Sequence, residues 1–246
     1  MFYRSQLMAQ YGIQAVFSDK HGGVSKGTFA SLNIGCNLGD KPEYVEKNMA
    51  LLCQAAQMPR PHQAAQAHGV EVLYCDGAAQ YHQAQADILL ASNTATAVGV
   101  RTADCLPILL ADVQQGIVAA VHAGWRGSVA HVVVVAVHAM LAKGAHVDNM
   151  LASFGPHIGE CCFEVSLEVG GLLHHASKGK ALLLREGKWF ADLAKVNMSQ
   201  LLRQGFSIQQ IEVSKTCTVC SSKPAYFSYR RDCGKTGRQI AMIVAP

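Results

Sequence analysis

The chain has 246 residues, half of them hydrophobic and 15% charged, which excludes a disordered polymer and suits one large α/β domain with a substantial core. Its net charge of +4, from 21 basic and 17 acidic side chains, is too small an excess to argue for nucleic-acid binding, though it favours an anionic small molecule such as phosphate. No apolar run reaches the length of a bilayer span, and the first residues lack the charged head and apolar stretch of a signal peptide, so a cytoplasmic protein without membrane contact is expected.

Residues 16–18 close a first strand, and His21-Gly-Gly-Val-Ser25 follows as a loop. Residues 42–58 read as a helix, with Pro42 in the first turn and Val45, Met49, Leu52 and Ala56 as its apolar stripe. Short runs at 63–67 and 70–74 flank Gln66-Ala-His-Gly69. Residues 95–101 and 106–111 read as strands around Thr102-Ala-Asp-Cys-Leu-Pro107, and 116–121 as a buried strand running into His122-Ala-Gly-Trp-Arg-Gly127. The stretch 127–143 is ambiguous: its valine run favours a strand, while its length, the Ser128 cap candidate and Gly144 favour a helix, which is the reading taken. Strands are expected at 150–154, 211–213, 225–229 and 239–244, and helices at 165–176 and 192–203, the second stopped by Gly205. Irregular alternation of this kind predicts a mixed sheet, or two sheets, covered by helices, with no boundary dividing residues 1–246.

His68, Cys105 and His122 each fall at a strand edge or turn. Two imidazoles and a thiolate form a catalytic zinc ligand set with a fourth position left open, although their wide separation along the chain matches no zinc-finger pattern. Two other readings stay open: a hydrogen-bonded core histidine, and a Cys105–His122 nucleophile–base pair that needs no metal. Asp104 reads either as a carboxylate orienting a ligand histidine or as a turn-stabilising residue. Arg126 places a forked cation beside the imidazole, and Tyr229-Arg-Arg-Asp232 reads as an anion clamp or as solvated charges at a strand end. Nine cysteines cannot all pair within the chain, so free thiols are expected. Cys217-Thr-Val-Cys220 is a lone CxxC; Cys161-Cys162 and Cys233 have the wrong spacing to complete a second metal site. His174-His175 is expected on the surface of a helix.

The segments Phe17-Ser-Asp-Lys-His-Gly-Gly-Val-Ser25, Ser31-Leu-Asn33, Gln66-Ala-His-Gly69, Thr102-Ala-Asp-Cys-Leu-Pro107 and His122-Ala-Gly-Trp-Arg-Gly127 occur here in this order. Gly155-Pro-His-Ile-Gly159, Phe163-Glu-Val165, Cys217-Thr218, Phe227-Ser-Tyr-Arg-Arg-Asp232 and Gly237-Arg238 follow. Together they resemble the YfiH-type laccase-domain family, also described as polyphenol-oxidase-like and as multifunctional purine nucleoside phosphorylases. The resemblance spans nearly the whole chain. It implies a single α/β domain and a zinc, or alternatively copper, held by His68, Cys105 and His122. It further implies phosphorolysis of adenosine, inosine, guanosine and methylthioadenosine, together with adenosine deamination. The expected partners are a small-molecule nucleoside and phosphate, and the expected assembly is a monomer or weak homodimer. Beside Cys105 and His122, Asp104 and Arg126 are the expected catalytic residues, and Lys20, Asn33 and Arg230 the expected substrate or phosphate holders. Asp19-Lys20 stands where the family usually has Thr-Arg, so the charge is kept but its forked geometry is lost. The rival activities are a zinc or thiol amidohydrolase acting on cell-wall precursors, a copper polyphenol oxidase, and a non-catalytic metal-dependent nucleoside-binding domain. Against the oxidase, none of the 11 histidines forms an HxH pair.

Overall fold

A computed structural model describes residues 1–223 and 225–245. In chain order the first half contains β1 (Phe2–Arg4), α1 (Gln6–Ala9), β2 (Ala15–Ser18), α2 (Pro42–Ala56), β3 (Pro61–Ala65), β4 (Val72–Tyr74), β5 (Tyr81–Gln85), β6 (Ile88–Ala91), β7 (Ala97–Thr102), β8 (Leu106–Asp112) and β9 (Val118–Ala123). The second half contains α3 (Trp125–Val129), α4 (Val132–Leu141), β10 (Met150–Phe154), β11 (Glu164–Val165), α5 (Leu167–Ala176), β12 (Leu182–Arg185), β13 (Lys188–Ala191), α6 (Leu193–Arg203), β14 (Ile211–Val213) and β15 (Gln239–Val244).

The strands form two six-stranded mixed sheets, ordered β1-β2-β15-β7-β3-β5 and β14-β10-β8-β9-β6-β4, and a small antiparallel sheet β11-β13-β12. The expected mixed sheets covered by helices are therefore present. Strand alternation sorts the side chains into three apolar layers. Phe17, Val98, Leu109 and Val118 fill the space between the two large sheets. Val16 and Met242, on the opposite face of the first sheet, meet Met49 and Leu52 of α2. Ile108 and Val121, on the far face of the second sheet, meet Val133, Val137 and Leu201 from α4 and α6. The result is an α/β/β/α sandwich. Each fully buried Val, Leu or Phe contributes about 1.5–3 kcal/mol over its exposed state. Among the described residues no helix is long and apolar enough to cross a membrane.

Several sequence expectations change in detail. The 127–143 helix is two helices, broken where His131 takes a left-handed φ of 62°. Ser128 is not its cap. It is buried, its hydroxyl accepting from Asn197 Nδ2 and its carbonyl from Gln200 Nε2, so it ties α3 to α6. The expected strand at 225–229 joins no ladder. Instead the Gln239 side chain accepts from the Phe227 amide and donates to the Phe227 carbonyl, replacing a neighbouring strand. β1, β5, β6, β12 and β13 lie in stretches without a predicted element; β5 and β12 are largely exposed and show no apolar alternation.

Candidate active site

β3, β5 and β7 run parallel in the first sheet, and each hands the chain over to the second sheet at its carboxyl end. The β3–β4 crossing contains His68, the β5–β6 crossing Asp87, and the β7–β8 crossing Cys105. β9 ends beside them, with His122 opposite Pro107 on β8. Carboxyl ends of parallel strands, where the sheet path switches, are the usual place for a ligand in α/β proteins. Gln66 fixes the first crossing against the end of β7: its side chain donates to the Arg101 carbonyl at 2.8 Å and accepts from the Arg101 amide at 2.9 Å.

The donor atoms of His68, Cys105 and His122 all lie within 4.8 Å of one another. His68 Nε2 is 3.9 Å from Cys105 Sγ, and the two imidazoles meet edge to face at 4.8 Å between centroids. The orienting carboxylate is Asp87. It accepts from the His122 ring at Nδ1 (2.7 Å) and from the backbone amides of Ala67 (3.0 Å), His68 (3.0 Å) and Gly69 (2.8 Å). Three successive amides on one carboxylate form an anion-binding nest. The nest holds His68 in its left-handed backbone conformation, φ 60°, which costs a non-glycine residue about 1–3 kcal/mol. The Asp87 carbonyl in turn accepts from the His122 amide at 2.8 Å.

The electrostatics follow from this packing. Burial alone would raise the Asp87 carboxyl, but the His122 ring and the nest amides outweigh it and hold it below the usual carboxylate range. Burial likewise disfavours a charged Cys105, yet His122 and His68 outweigh it and bring the thiol down to about 6. The same thiolate, with Asp87, overcomes the burial of His122 and lifts its imidazole to about 9. Cys105 and His122 thus form a thiolate–imidazolium pair near neutral pH.

The residues fit a metal ion. Asp87 occupies His122 Nδ1 and leaves Nε2 free to coordinate. A Cβ on Gly124 would stand 3.0 Å from His68 Cδ2 and 3.2 Å from Cys105 Sγ, so the glycine in His-Ala-Gly-Trp keeps the backbone clear of the donors. An N₂S donor set with an open side suits zinc and also accepts copper.

The three donors border a cavity of about 600 Å³. Arg101, Arg126, Arg230 and Arg238 line it, and none of the four forms an ion pair with a carboxylate among the described residues. Burial, with the like charge of Arg101, pushes the Arg238 guanidinium below its usual range, against the pull of the Cys105 thiolate. Phe163, Tyr229 and Trp125 supply flat apolar walls. The cavity is therefore cationic, aromatic and open to a small anion-bearing molecule.

The sequence signature described as multi-copper polyphenol oxidoreductase laccase matches residues 14–246. The chain belongs to this laccase-domain family. Among its curated relatives, Purine nucleoside phosphorylase YfiH of Escherichia coli K12 is 36% identical over 235 residues, covering 94% of this chain and 93% of the relative. Purine nucleoside phosphorylase of Deinococcus radiodurans is 34% identical over 232 residues, covering 94% and 88%. The crystal structure of YlmD from Geobacillus stearothermophilus superposes with a TM-score of 0.89 at 29% identity, covering 99% of this chain and 96% of that one.

Within this laccase-domain site the sequence-predicted residues divide. His68, Cys105 and His122 meet, and Arg126 reaches the cavity, its guanidinium 4.4 Å from the Trp125 ring centroid. Asp104 lines the cavity but orients no histidine. Its oxygens accept from Thr218 Oγ1 (2.6 Å), Ser228 Oγ (3.1 Å) and the Arg230 amide (2.7 Å), and it pins three loops together with a backbone φ of 90°. Arg230 lines the cavity while donating to the carbonyls of Cys162 and Glu164. Lys20 does not line it; its backbone carbonyl accepts from the amides of Ser31 and Leu32 and shapes the loop beneath α2. Asn33 is fully buried outside the cavity, accepting from the amides of Gly35 and Arg238, so it supports the wall rather than touching a ligand. His174 and His175 are exposed on α5, as expected. Three residues escape the sequence reading. Asp87 resembles any turn aspartate before an apolar strand. Arg101 could have been noticed as a lone cation in a buried strand. Arg238 stands in a quoted motif with no chemistry attached.

Proposed function

We propose that this chain is a zinc-dependent purine nucleoside phosphorylase, acting on adenosine, inosine, guanosine and methylthioadenosine, with adenosine deamination at the same site. The observation that carries the reading is the pairing, around one cavity, of the His68–Cys105–His122 donor set with four arginines that, among the described residues, form no ion pair with a carboxylate. The names of the curated relatives support phosphorolysis. In phosphorolysis a phosphate oxygen bonds to the ribose carbon as the glycosidic bond breaks, and the base leaves with the bonding pair and takes up a proton. The guanidiniums of Arg101, Arg126 and Arg238 hold the phosphate dianion by forked, charge-assisted hydrogen bonds. The aromatic walls take the purine face. A bound zinc would supply a Lewis acid and a water acidified toward about 7, the nucleophile that deamination needs. Asp87 keeps His122 Nδ1 protonated and its ring aimed at the donor cluster.

The test incubates metal-analysed protein with adenosine, with and without phosphate. Adenine or hypoxanthine together with ribose 1-phosphate, formed only when phosphate is present, is the expected result, with inosine and ammonia marking the deaminase. Cys105→Ala should lose phosphorolysis together with the zinc held by His68, Cys105 and His122. Full zinc content and full activity in that variant would refute the site, and release of amino acids from muropeptides with no base release would assign the cavity to amide hydrolysis.

A further inference from the structure

A second group of thiols lies outside the cavity. Cys161, Cys162, Cys217 and Cys220 bring four sulfur atoms within 4.8 Å of one another. They come from two segments that are otherwise remote in sequence. The pairing of His157 with Cys217 aligns the segments, and the Thr218 amide donates to the His157 carbonyl at 3.0 Å.

We infer that these four cysteines form a tetrathiolate zinc site that locks the 157–163 and 217–220 segments together. Four kinds of observation carry it. First, the spacing fits an ion. Zn–S bonds of about 2.3 Å in a tetrahedron put the sulfurs about 3.8 Å apart. Cys161 Sγ and Cys220 Sγ are 3.7 Å apart, against about 2.05 Å for a disulfide. Second, the backbone serves a sulfur anion. The Gly159 amide donates to Cys217 Sγ at 3.3 Å, and the amides of Val219 and Cys220 point to the same atom. Third, the turn is built for adjacent ligands. The amides of Cys162 and Phe163 both donate to the Gly159 carbonyl, which curls the chain so that neighbouring side chains share one side. A Cβ on Gly159 would stand 3.3 Å from Cys161 Sγ and 3.4 Å from Cys217 Cβ, so the glycine leaves room for the Cys161 sulfur beside Cys217.

Fourth, the surroundings offset the two net negative charges of a zinc tetrathiolate. Arg185 donates to the Cys161 carbonyl and Arg230 to that of Cys162, and neither is ion-paired among the described residues; Arg231, paired with Asp232, donates to the carbonyls of Thr218 and Val219. Cys161 and Cys220 are exposed, so the group is not simply a set of core thiols. Four thiolates in tetrahedral array select zinc or iron–sulfur chemistry, and the 3.7 Å sulfur edge fits a single ion. On binding, the thiol protons pass to solvent and four S–Zn bonds form. The clamp sits behind the active cavity: Ile158 and Phe163 of one segment line it, and Thr218 of the other holds Asp104.

Full-length protein, purified with reductant, saturated with zinc and desalted, should contain two zinc ions per chain. Cys217→Ser/Cys220→Ser should contain one, and Cys105→Ala should also contain one. The two variants separate the sites: one zinc in wild type, unchanged in Cys217→Ser/Cys220→Ser, overturns the clamp, whereas two zinc ions retained in Cys105→Ala overturns the catalytic site alone. A measurement that does not depend on folding of the double variant uses Cys105→Ala, whose first donor set has no sulfur left. One equivalent of cobalt added to this metal-free variant should develop strong thiolate-to-cobalt charge-transfer absorption. Its absence overturns the inference. In zinc-loaded Cys105→Ala four cysteines should also resist alkylation and react after chelation; equal alkylation of this variant with and without chelator overturns it as well.

Discussion

Asp87→Asn tests the arrangement at its most sensitive point. One Asp87 oxygen accepts from His122 Nδ1 and the His68 amide, and the other from the amides of Ala67 and Gly69. An amide side chain keeps one acceptor and replaces the other with a donor. Whichever way it turns, two N–H groups face an NH₂ inside a pocket where Asp87 is 1% exposed. A hydrogen bond to a charged group contributes about 1.5–3 kcal/mol, so losing two costs the metal-free protein about 3–6 kcal/mol. Zinc affinity should fall by about 10–100-fold, because the ring of His122 loses its anchor. Urea denaturation of the metal-free protein measures the first effect, and chelator competition the second. Asp104→Asn is the control: it loosens the Thr218, Ser228 and Arg230 contacts but leaves zinc affinity unchanged. Equal zinc affinity in Asp87→Asn and wild type, or a stability change within about 0.5 kcal/mol, would refute the role given to Asp87. The acid limb supplies a further check. A carboxylate held below its ordinary value stabilises the fold above about pH 4 and loses that contribution as pH falls through its depressed value. The wild type should therefore lose more stability than Asp87→Asn on acidification below about pH 4.

Three other outcomes are expected. Between about pH 6 and about pH 9 the Cys105–His122 pair holds a single proton, so zinc binding to Cys217→Ser/Cys220→Ser, which keeps only this site, should displace one proton from the pair at pH 7.5, rising toward two below about pH 6; calorimetry in buffers of different ionisation enthalpy reads the number, and two at pH 7.5 would contradict the thiolate. Gly124→Ala should lower zinc affinity at least about tenfold while the protein stays folded, since the added methyl meets His68 and Cys105 rather than the core; chelator competition and circular dichroism check the two halves. Arg101→Ala should raise the phosphate KM by about tenfold or more, whereas Lys20→Ala should leave it within about twofold because Lys20 does not line the cavity; equal effects in steady-state phosphorolysis assays would undo the assignment of the arginines.

The donors were legible because each stands in a compact motif at a strand end, and the mixed sheets because valine, leucine and alanine runs mark buried strands. What closed the site was not legible. Asp87 becomes important only through hydrogen bonds to three amides in another crossing, which no spacing rule connects to it. Asp104 beside Cys105 drew attention by adjacency, although chain neighbours at a turn point in different directions. The four clustered cysteines failed the zinc-finger spacing test because that test assumes two CxxC pairs; here an adjacent pair on one turn meets a CxxC aligned with it by the His157–Cys217 pairing. The 225–229 segment has strand composition, but its backbone is satisfied piecemeal: the Lys20 amide donates to the Ala225 carbonyl, Arg231 to that of Tyr226, and the Gln239 side chain pairs both groups of Phe227.

Chain-length tolerance follows from the three crossings that join the large sheets. An extra residue in any of them would swing His68, Asp87 or Cys105 out of register with the other two, because each is tethered on both sides. The β12–β13 hairpin is free of that constraint: Glu186 and Gly187, both at positive φ, turn the chain at the end of the small sheet, and neither lines the cavity. Tags, labels or inserted peptides belong at that hairpin, where a longer loop leaves all three donors where they are.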